Sequence, residues 1–294
     1  MVYGIDVAQW QGVIDWSKVK KDFAILKVTK KSNGVEPSFE RNYKGCLENH
    51  IPVGVYRYVY AKTVVEAKKE AEAIVKILGG RSLPYGVWLD MEDKSIKIGK
   101  SALSVIINTE AEILKAAGYS VGIYCNKDWY YNVLDGRNLA QIYPFWIARY
   151  PLIDTGKFNE KSSLNPKNYA IAWQYSSKGK VDGIKGNVDM DVMFVPVESI
   201  FGESDGNPYF EPKNVVTSKT QAKIKGIKVY SYKGNDVGWV QWHLWKKGYL
   251  TEDQVDLSCG PITVDAIMRF QSDLIGLAID GLCGSATRKK LKEA

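Results

Sequence analysis

The sequence is poor in the residues on which imidazole, thiol and metal chemistry depends. Its two histidines, His50 and His243, lie in different halves of the 294-residue chain. That excludes a His-x-Glu-x-x-His metal site and argues against a His-dependent triad or a zinc amidase. Four cysteines, Cys46, Cys125, Cys259 and Cys283, include no Cys-x-x-Cys pair, so neither a disulfide framework nor a zinc ribbon is expected. No metal or cofactor is called for. No apolar run is long enough to span a membrane, and Met1–Asp6 leads straight into a strand without a basic and apolar leader. Neither membrane insertion nor a secretory signal peptide is therefore expected. The net charge is +7 but no dense basic block carries it. Nucleic acid is thus a poor partner, and a mildly basic face toward an anionic polymer a better one.

What is abundant is aromatic: 18 Tyr and 9 Trp, whose flat faces suit sugar rings as well as cores. Apolar strands alternate with helical stretches. The strands are Tyr3–Val7, Phe23–Val28, Val53–Tyr60, Gly86–Asp90, Val121–Cys125, Phe145–Ala148, Ala170–Tyr175 and Val188–Val192. Helices are predicted over 39–48, over 64–78, and from a capping Ser101 to Ala117. Beyond Cys125 the helical stretches shorten. Strands alternating with helices argue a parallel sheet, and about eight of them in under 200 residues argue a compact, irregular (β/α) barrel of the TIM type. In such barrels chemistry gathers where strands end.

The strand Val87-Trp88-Leu89-Asp90-Met91-Glu92 ends in carboxyls. Residues two apart share a face, so Asp90 and Glu92 point to one side, and the charge of Asp90 should hold up the pKa of Glu92. A carboxyl still protonated near neutrality can serve as a general acid. An Asp-x-Glu triplet alone is a weak signal, since a solvated strand end is the usual fate of such residues. Asp6 ends the first strand and Asp189 lies on the last. These strands are neighbours in a closed barrel, so both acids could join Asp90 and Glu92 at one mouth. Asp191 reads equally well as a structural or outward-facing residue. Tyr56, Tyr58, Tyr124, Trp146, Trp173 and Tyr175 sit on apolar strands, where core packing competes with a role as sugar platforms for about half of them.

Together these residues carry a resemblance. Gly4-Ile5-Asp6-Val7, Trp10-Gln11-Gly12, Gly54-Val55-Tyr56 with Tyr58, Leu89-Asp90-Met91-Glu92, Gly122-Ile123-Tyr124, Trp146-Ile147-Ala148, Trp173-Gln174-Tyr175 and Asn187-Val188-Asp189 stand in the order found in family-25 glycoside hydrolases. These are the N-acetylmuramidases, or lysozymes, of bacteriophages and bacteria. The resemblance implies cleavage of the β-1,4 bond between N-acetylmuramic acid and N-acetylglucosamine in peptidoglycan, with retention of configuration. It implies Glu92 as general acid and Asp6, Asp90 and Asp189 as the other acidic site positions, with Tyr58, Tyr124, Trp146, Trp173 and Gln174 on the substrate. The nucleophile, a protein carboxylate or the substrate's own acetamido oxygen, stays open. Arg57 departs from the family, where His is frequent.

The hydrolase should occupy 1–197 and a linker rich in acidic residues and glycine 198–206. A different module follows over 207–294. Within it Asp236 can cap a helix that buries Val237, Val240, Gln241 and Leu244. Asp256-Leu257-Ser258-Cys259-Gly260 with Thr263 recurs as Asp280-Gly281-Leu282-Cys283-Gly284 with Thr287. This repeat resembles the small, all-α, three-helix peptidoglycan-binding domains appended to wall hydrolases. Leu257 stands where a turn glycine is usual. Cys259 and Cys283 read as free thiols, or as a disulfide in an oxidising compartment. Trp239, Trp242 and Trp245 read as packing residues before glycan contacts. The whole is expected to be a phage endolysin, held in the host cytoplasm until a holin releases it to the wall. A bacterial autolysin is the alternative, and a non-catalytic wall-binding protein the reading from another class.

Overall fold

Alternation along the first strand sets the interior of the barrel. The computed structural model describes residues 1–197, 200, 207, 209 and 211–293. The expected linker, 198–206, lies almost wholly outside the described residues. In β1 (Val2–Val7) Gly4 and Asp6 face inward, while Ile5 and Val7 are buried on the outer side. The strands that follow are β2 (Phe23–Lys27), β3 (Val53–Tyr58), β4 (Val87–Asp90), β5 (Val121–Asn126), β6 (Phe145–Ala148), β7 (Ala172–Gly179) and β8 (Val188–Met193). They close in sequence order into one barrel, as the strand count predicts.

The sheet is not wholly parallel. β1 to β7 run parallel to their neighbours, but β8 is antiparallel to both β7 and β1. Residues 180–187 join β7 to β8, a segment too short for a parallel crossover. Strand pattern alone does not report direction.

The helices α1 (Phe39–Glu48), α2 (Val64–Leu78) and α3 (Lys100–Ala116) cover the first half of the barrel. Gly99, not Ser101, stands at the N-cap of α3. Past β5 the only regular helices before β6 are short, a turn at Trp129–Val133 and α4 (Gly136–Leu139). Among the described residues no helix joins β6 to β7, which makes the barrel irregular as expected. No described helix is long and apolar enough to cross a membrane.

Aromatic rings fill the floor of the barrel. Phe23 stacks on Tyr85 at 4.4 Å, and Trp88 meets Trp146 edge-on at 5.7 Å. Two motif glycines make room for them. A Cβ on Gly4 would lie 2.3 Å from the Phe23 ring, and one on Gly122 2.4 Å from that of Trp88. The Gly-Ile-Asp and Gly-Ile-Tyr triplets thus join two needs: a bare backbone beside an aromatic floor and, two residues on, a polar side chain above it.

The second compact unit is built chiefly from residues that follow the barrel, with Gly79–Ser82 assigned to it as well. It holds α5 (Lys219–Lys225), α6 (Asn235–Lys246), α7 (Pro261–Ser272) and α8 (Ser285–Lys292). The last three are the helices expected. The short α5 and a parallel pair of two-residue strands, β9 (Val215–Val216) and β10 (Tyr230–Ser231), are additions. Gly234, not Asp236, occupies the N-cap of α6; the Asp236 carboxylate instead accepts a hydrogen bond from the Ser231 hydroxyl. Val237, Trp239, Val240 and Leu244 enter the core with Ile267 and Phe270.

The internal repeat is a hydrogen-bond cassette built twice. Gln241 Nε2 donates to Asp256 Oδ1 at 2.8 Å and to Thr263 Oγ1 at 3.0 Å, while its Oε1 accepts from Leu257 N at 2.9 Å. Gln271 donates likewise to Asp280 Oδ1 at 3.0 Å and Thr287 Oγ1 at 3.2 Å, and accepts from Gly281 N at 3.0 Å. Leu257 keeps the left-handed conformation of its glycine counterpart, φ 62° against 68° for Gly281. That costs a side chain about 1–2 kcal/mol. Contact between the Leu257 side chain and the bare face of Gly238 offsets part of it. Cys259 and Cys283 are free and buried, as are Cys46 and Cys125.

Candidate active site

Register places four acids at one end of the barrel. Asp6 is the Cα partner of Asp189 across the β1–β8 pair, a separation of about 4.5–5.5 Å in antiparallel strands. Because β8 runs backward, its first residues, not its last, lie level with the C-terminal ends of the parallel strands. Asp90 closes β4 and pairs with Tyr58 on β3 and Tyr124 on β5. Glu92 follows two residues on.

Gln174 ties the deep part of the mouth together. Its Nε2 donates to Asp6 Oδ2 at 2.6 Å, and its Oε1 accepts from Tyr124 OH at 2.7 Å and from the hydroxyl of Tyr150. Asp191 is not outward-facing: it is buried inside the barrel and accepts from Trp146 Nε1 at 3.0 Å. Asp6 and Asp191 lie close enough inside the barrel to act on each other's ionisation. Burial, then the charges of Asp191 and Asp189, hold Asp6 well above the carboxylate range. Burial and Asp189 do the same for Asp191. Two carboxyls buried this way resist ionising together.

The rim is more open. Burial, and then the charge of Asp154, push Asp189 up to about 6. Burial raises Glu92, with help from Asp189 and Asp93 and against the pull of Lys27. Asp90 is raised further, first by burial and then by Glu92. The expected coupling is therefore reversed. Asp90 is the deeper acid, 3% exposed, and the charge of Glu92 adds to the effect of burial on Asp90 rather than the converse. Asp90 Oδ1 has no hydrogen-bond partner among the described residues.

The aromatic positions divide by strand alternation. Tyr56 and Tyr58 are half-buried at the mouth. Tyr124 and Trp146 point inward but are sealed, at 7% and 2% exposure. They support the acids and offer no ring face to a sugar. Trp173 faces outward, away from the mouth, donates to Arg149 O at 2.9 Å and packs on Phe158. Tyr175 shares that outer face, against Phe158. Arg57 also points outward, so it makes no contact at the mouth.

Two residues at the mouth escape the sequence reading. Lys27, at the end of β2, lies 5.6 Å from the Tyr56 ring and 5.4 Å from that of Tyr58. Its charge is the one that draws Asp90 and Glu92 down. Tyr150, just past β6, keeps its ring exposed while its hydroxyl reaches Gln174. Lys27 and Tyr150 stand at or just beyond strand ends, a positional signal that could have found both. Trp10, on the loop after β1, is 81% exposed.

A closed eight-stranded barrel whose mouth gathers proton-holding carboxyls, followed by a helical repeat module, is the build of a polysaccharide-cleaving hydrolase with a binding appendage. The chain belongs to the glycosyl hydrolases family 25, whose model matches residues 5–184. Residues 233–291 match the peptidoglycan binding domain family. The protein is accordingly a glycoside hydrolase of the lysozyme type that acts on peptidoglycan. It is similar to YegX of Escherichia coli, 30% identical over 70% of this chain and 74% of that one. The autolytic lysozyme of Clostridium acetobutylicum is 25% identical over 97% of this chain and 76% of its own. The crystal structure of a bacterial lysozyme from Streptomyces coelicolor superposes with a TM-score of 0.56 at 26% identity, covering 68% of this chain and 95% of that one.

Proposed function

We propose that the protein is an N-acetylmuramidase, cutting the β-1,4 bond between N-acetylmuramic acid and N-acetylglucosamine, with Glu92 as general acid. The observation that carries the reading is the contrast in depth. Glu92 is raised yet half-open at the rim, whereas Asp6, Asp90 and Asp191 are sealed. Only an acid that substrate can reach can protonate a leaving oxygen. Glu92 gives its proton to the glycosidic oxygen as the C1–O bond breaks, then takes one back from the water that attacks C1. Asp90, sealed beside Glu92 with an unpartnered oxygen, acts from beneath the 2-acetamido group rather than as the acid. A neutral, buried Asp90 is a poor nucleophile, which favours the acetamido oxygen as the group that closes on C1 in the first step. Asp189 faces Glu92 and stabilises positive charge on the ring when ionised. Tyr58 and Gln174 remain substrate-side positions in this reading, with Gln174 acting through Asp6.

Residues 1–197 act as the hydrolase and 207–294 as the wall-binding module, joined by 198–206. The finer biological reading is a phage endolysin released through a holin. An autolysin of the bacterium itself is the second reading, favoured by the alignment of 97% of this chain with the clostridial autolytic lysozyme. Expression in a susceptible host separates them: lysis only with a co-expressed holin supports the endolysin, and lysis without one supports the autolysin.

The chemistry is tested on purified wall. Mass spectrometry of the digest should find N-acetylmuramic acid at every new reducing end. Glu92→Gln should keep the fold and wall binding but lose about 10²–10⁴ in rate. Lysis within a few-fold of wild type would remove Glu92 from the mechanism.

A further inference from the structure

Arg57, the residue that departs from the family pattern, is fully buried between the barrel wall and α2. Its guanidinium is spent in two directions. Toward α2 it grips Glu70 with both forks, Nη2 to Oε1 at 2.9 Å and Nε to Oε2 at 3.1 Å. Toward the loop after β2 it donates to Thr29 Oγ1 at 2.5 Å, Lys30 O at 3.1 Å and Asn33 Oδ1 at 2.7 Å. That loop is a tight hairpin: Thr29 bridges to Val35, Lys30 N donates to Gly34 O at 2.8 Å, and Asn33 takes a φ of 64°. A planar, five-donor fork can hold such a loop at three points where lysine or histidine could not.

What the clamp presents is Lys31. At the hairpin it stands over the Tyr60 ring, 4.6 Å from the centroid. Tyr60 lies 5.0 Å from Tyr58, and Tyr58 5.4 Å from Lys27. A pair of rings flanked by two cations therefore runs outward from the acid mouth. Beside Tyr60 opens a cavity of about 360 Å³, bordered by Lys31, Lys62, Lys69 and Ser95. Its carboxylates are already committed. Glu70 is held by Arg57, Glu66 Oε2 accepts from the backbone of Lys62 and Thr63, and Asp93 accepts from Ser95 N. Lys31, Lys62 and Lys69 are exposed, and none forms a salt bridge among the described residues. Glu66 and Asp93 keep their charges and act on Lys62 and Lys31. Lys31, Lys62 and Lys69 with Arg57 nevertheless outnumber Glu66, Glu70 and Asp93, so the cavity keeps a positive excess beside a fixed aromatic wall.

We propose that this cavity is an anion subsite, which receives an oxyanion carried by the glycan strand under cleavage. Two sources share that chemistry: the free carboxylate of a stem peptide and the phosphate of an attached wall polymer. The proposal rests on the muramidase reading for its substrate, but its readout is a difference in KM between decorated and neutral chains.

The test compares wild type with the triple variant Lys31→Gln, Lys62→Gln, Lys69→Gln, whose exposed positions leave the fold intact. Three soluble substrates are used: peptide-bearing glycan chains, the same chains with their carboxylates converted to methylamides, and methylamidated chains carrying a phosphodiester polymer. Wild type should show a KM about 10-fold lower on at least one anionic chain than on the neutral one, as three partly screened cations allow. The triple variant should lose that gap with kcat unchanged, and salt should close it in wild type. A gap on the first chain alone assigns the peptide carboxylate; a gap on the third alone assigns the phosphate. Equal KM for wild type on all three chains, or a gap that survives the triple variant, overturns the subsite. A digest showing a different bond cut would sink the muramidase reading while leaving the KM comparison valid.

Discussion

Asp189 sits directly across from Asp6 in the register of β8 against β1, although one opens the last strand of the barrel and the other closes the first. The pairing depends on β8 running backward. A parallel β8 would carry Asp189 to the floor, among the aromatic rings. The reversal of one strand is what completes the acid cluster.

Gln174 is the one side chain that donates a hydrogen bond to Asp6 among the described residues. Replacing it by Leu leaves Asp6 Oδ2 and the Tyr124 hydroxyl without their partners in a buried site. Each such loss costs about 1–3 kcal/mol, so Gln174→Leu should lower the urea midpoint clearly. The Gln174 bond also draws the Asp6 pKa down, so the variant should hold the Asp6 proton to higher pH. Chemical denaturation and carboxyl titration by NMR check the two halves separately.

Asp189 is pushed up to about 6 from an ordinary 3.8. Between those values the folded chain binds its proton more tightly than the unfolded chain. The stability it contributes is full below 3.8 and is lost as pH rises through about 6. The stability of Asp189→Asn relative to wild type should therefore increase across that window and level off above it. Urea unfolding at a series of pH values reads the difference. A relative stability that stayed flat, or declined, would remove Asp189 from the raised group.

Arg57→Met should destabilise the barrel by about 3–5 kcal/mol, because it strands Glu70 as an uncompensated buried charge. Glu110, also buried, is raised by burial and by Glu70 and drawn down by Arg57. The double variant Arg57→Met, Glu70→Leu should recover much of the loss, as replacing a whole buried pair is often neutral. Recovery of stability without recovery of the hairpin would show as restored unfolding midpoints and a persistently raised KM on anionic chains.

Truncation after residue 197 should spare activity on soluble chains and lower it on intact walls. Tethering to a polymer raises local concentration, a gain of about 10²–10⁴ where geometry permits. Equal loss on both substrates, with a lower thermal midpoint, would mean that the second module stabilises the barrel instead.

Much of this was legible because alternation is a strong signal. Strand count, closure and the inward acids Asp6, Asp90 and Glu92 follow from period-two patterning and strand-end position. Strand direction is not encoded in that pattern, so β8 read as parallel. Burial depth is not encoded either. Trp146 and Trp173 look alike in sequence, yet one supports Asp191 from inside while the other packs outside on Phe158. The repeat was visible in its Asp-x-x-Cys-Gly-x-x-Thr turns, but Gln241 and Gln271 stand at different distances from them. The cassette thus emerges only in three dimensions. Lys27 and Tyr150 were overlooked because a lone cation and a lone ring carry no motif.

The four cysteines have a consequence beyond packing. Each is free and buried, and burial raises every thiol, Cys259 to about 12. A sulfur that is neither ionised nor reachable is inert to oxidants and to disulfide exchange. The covalent structure of the protein would thus be the same in a reducing medium and an oxidising one. An enzyme so built needs no disulfide formed or broken on passing between them.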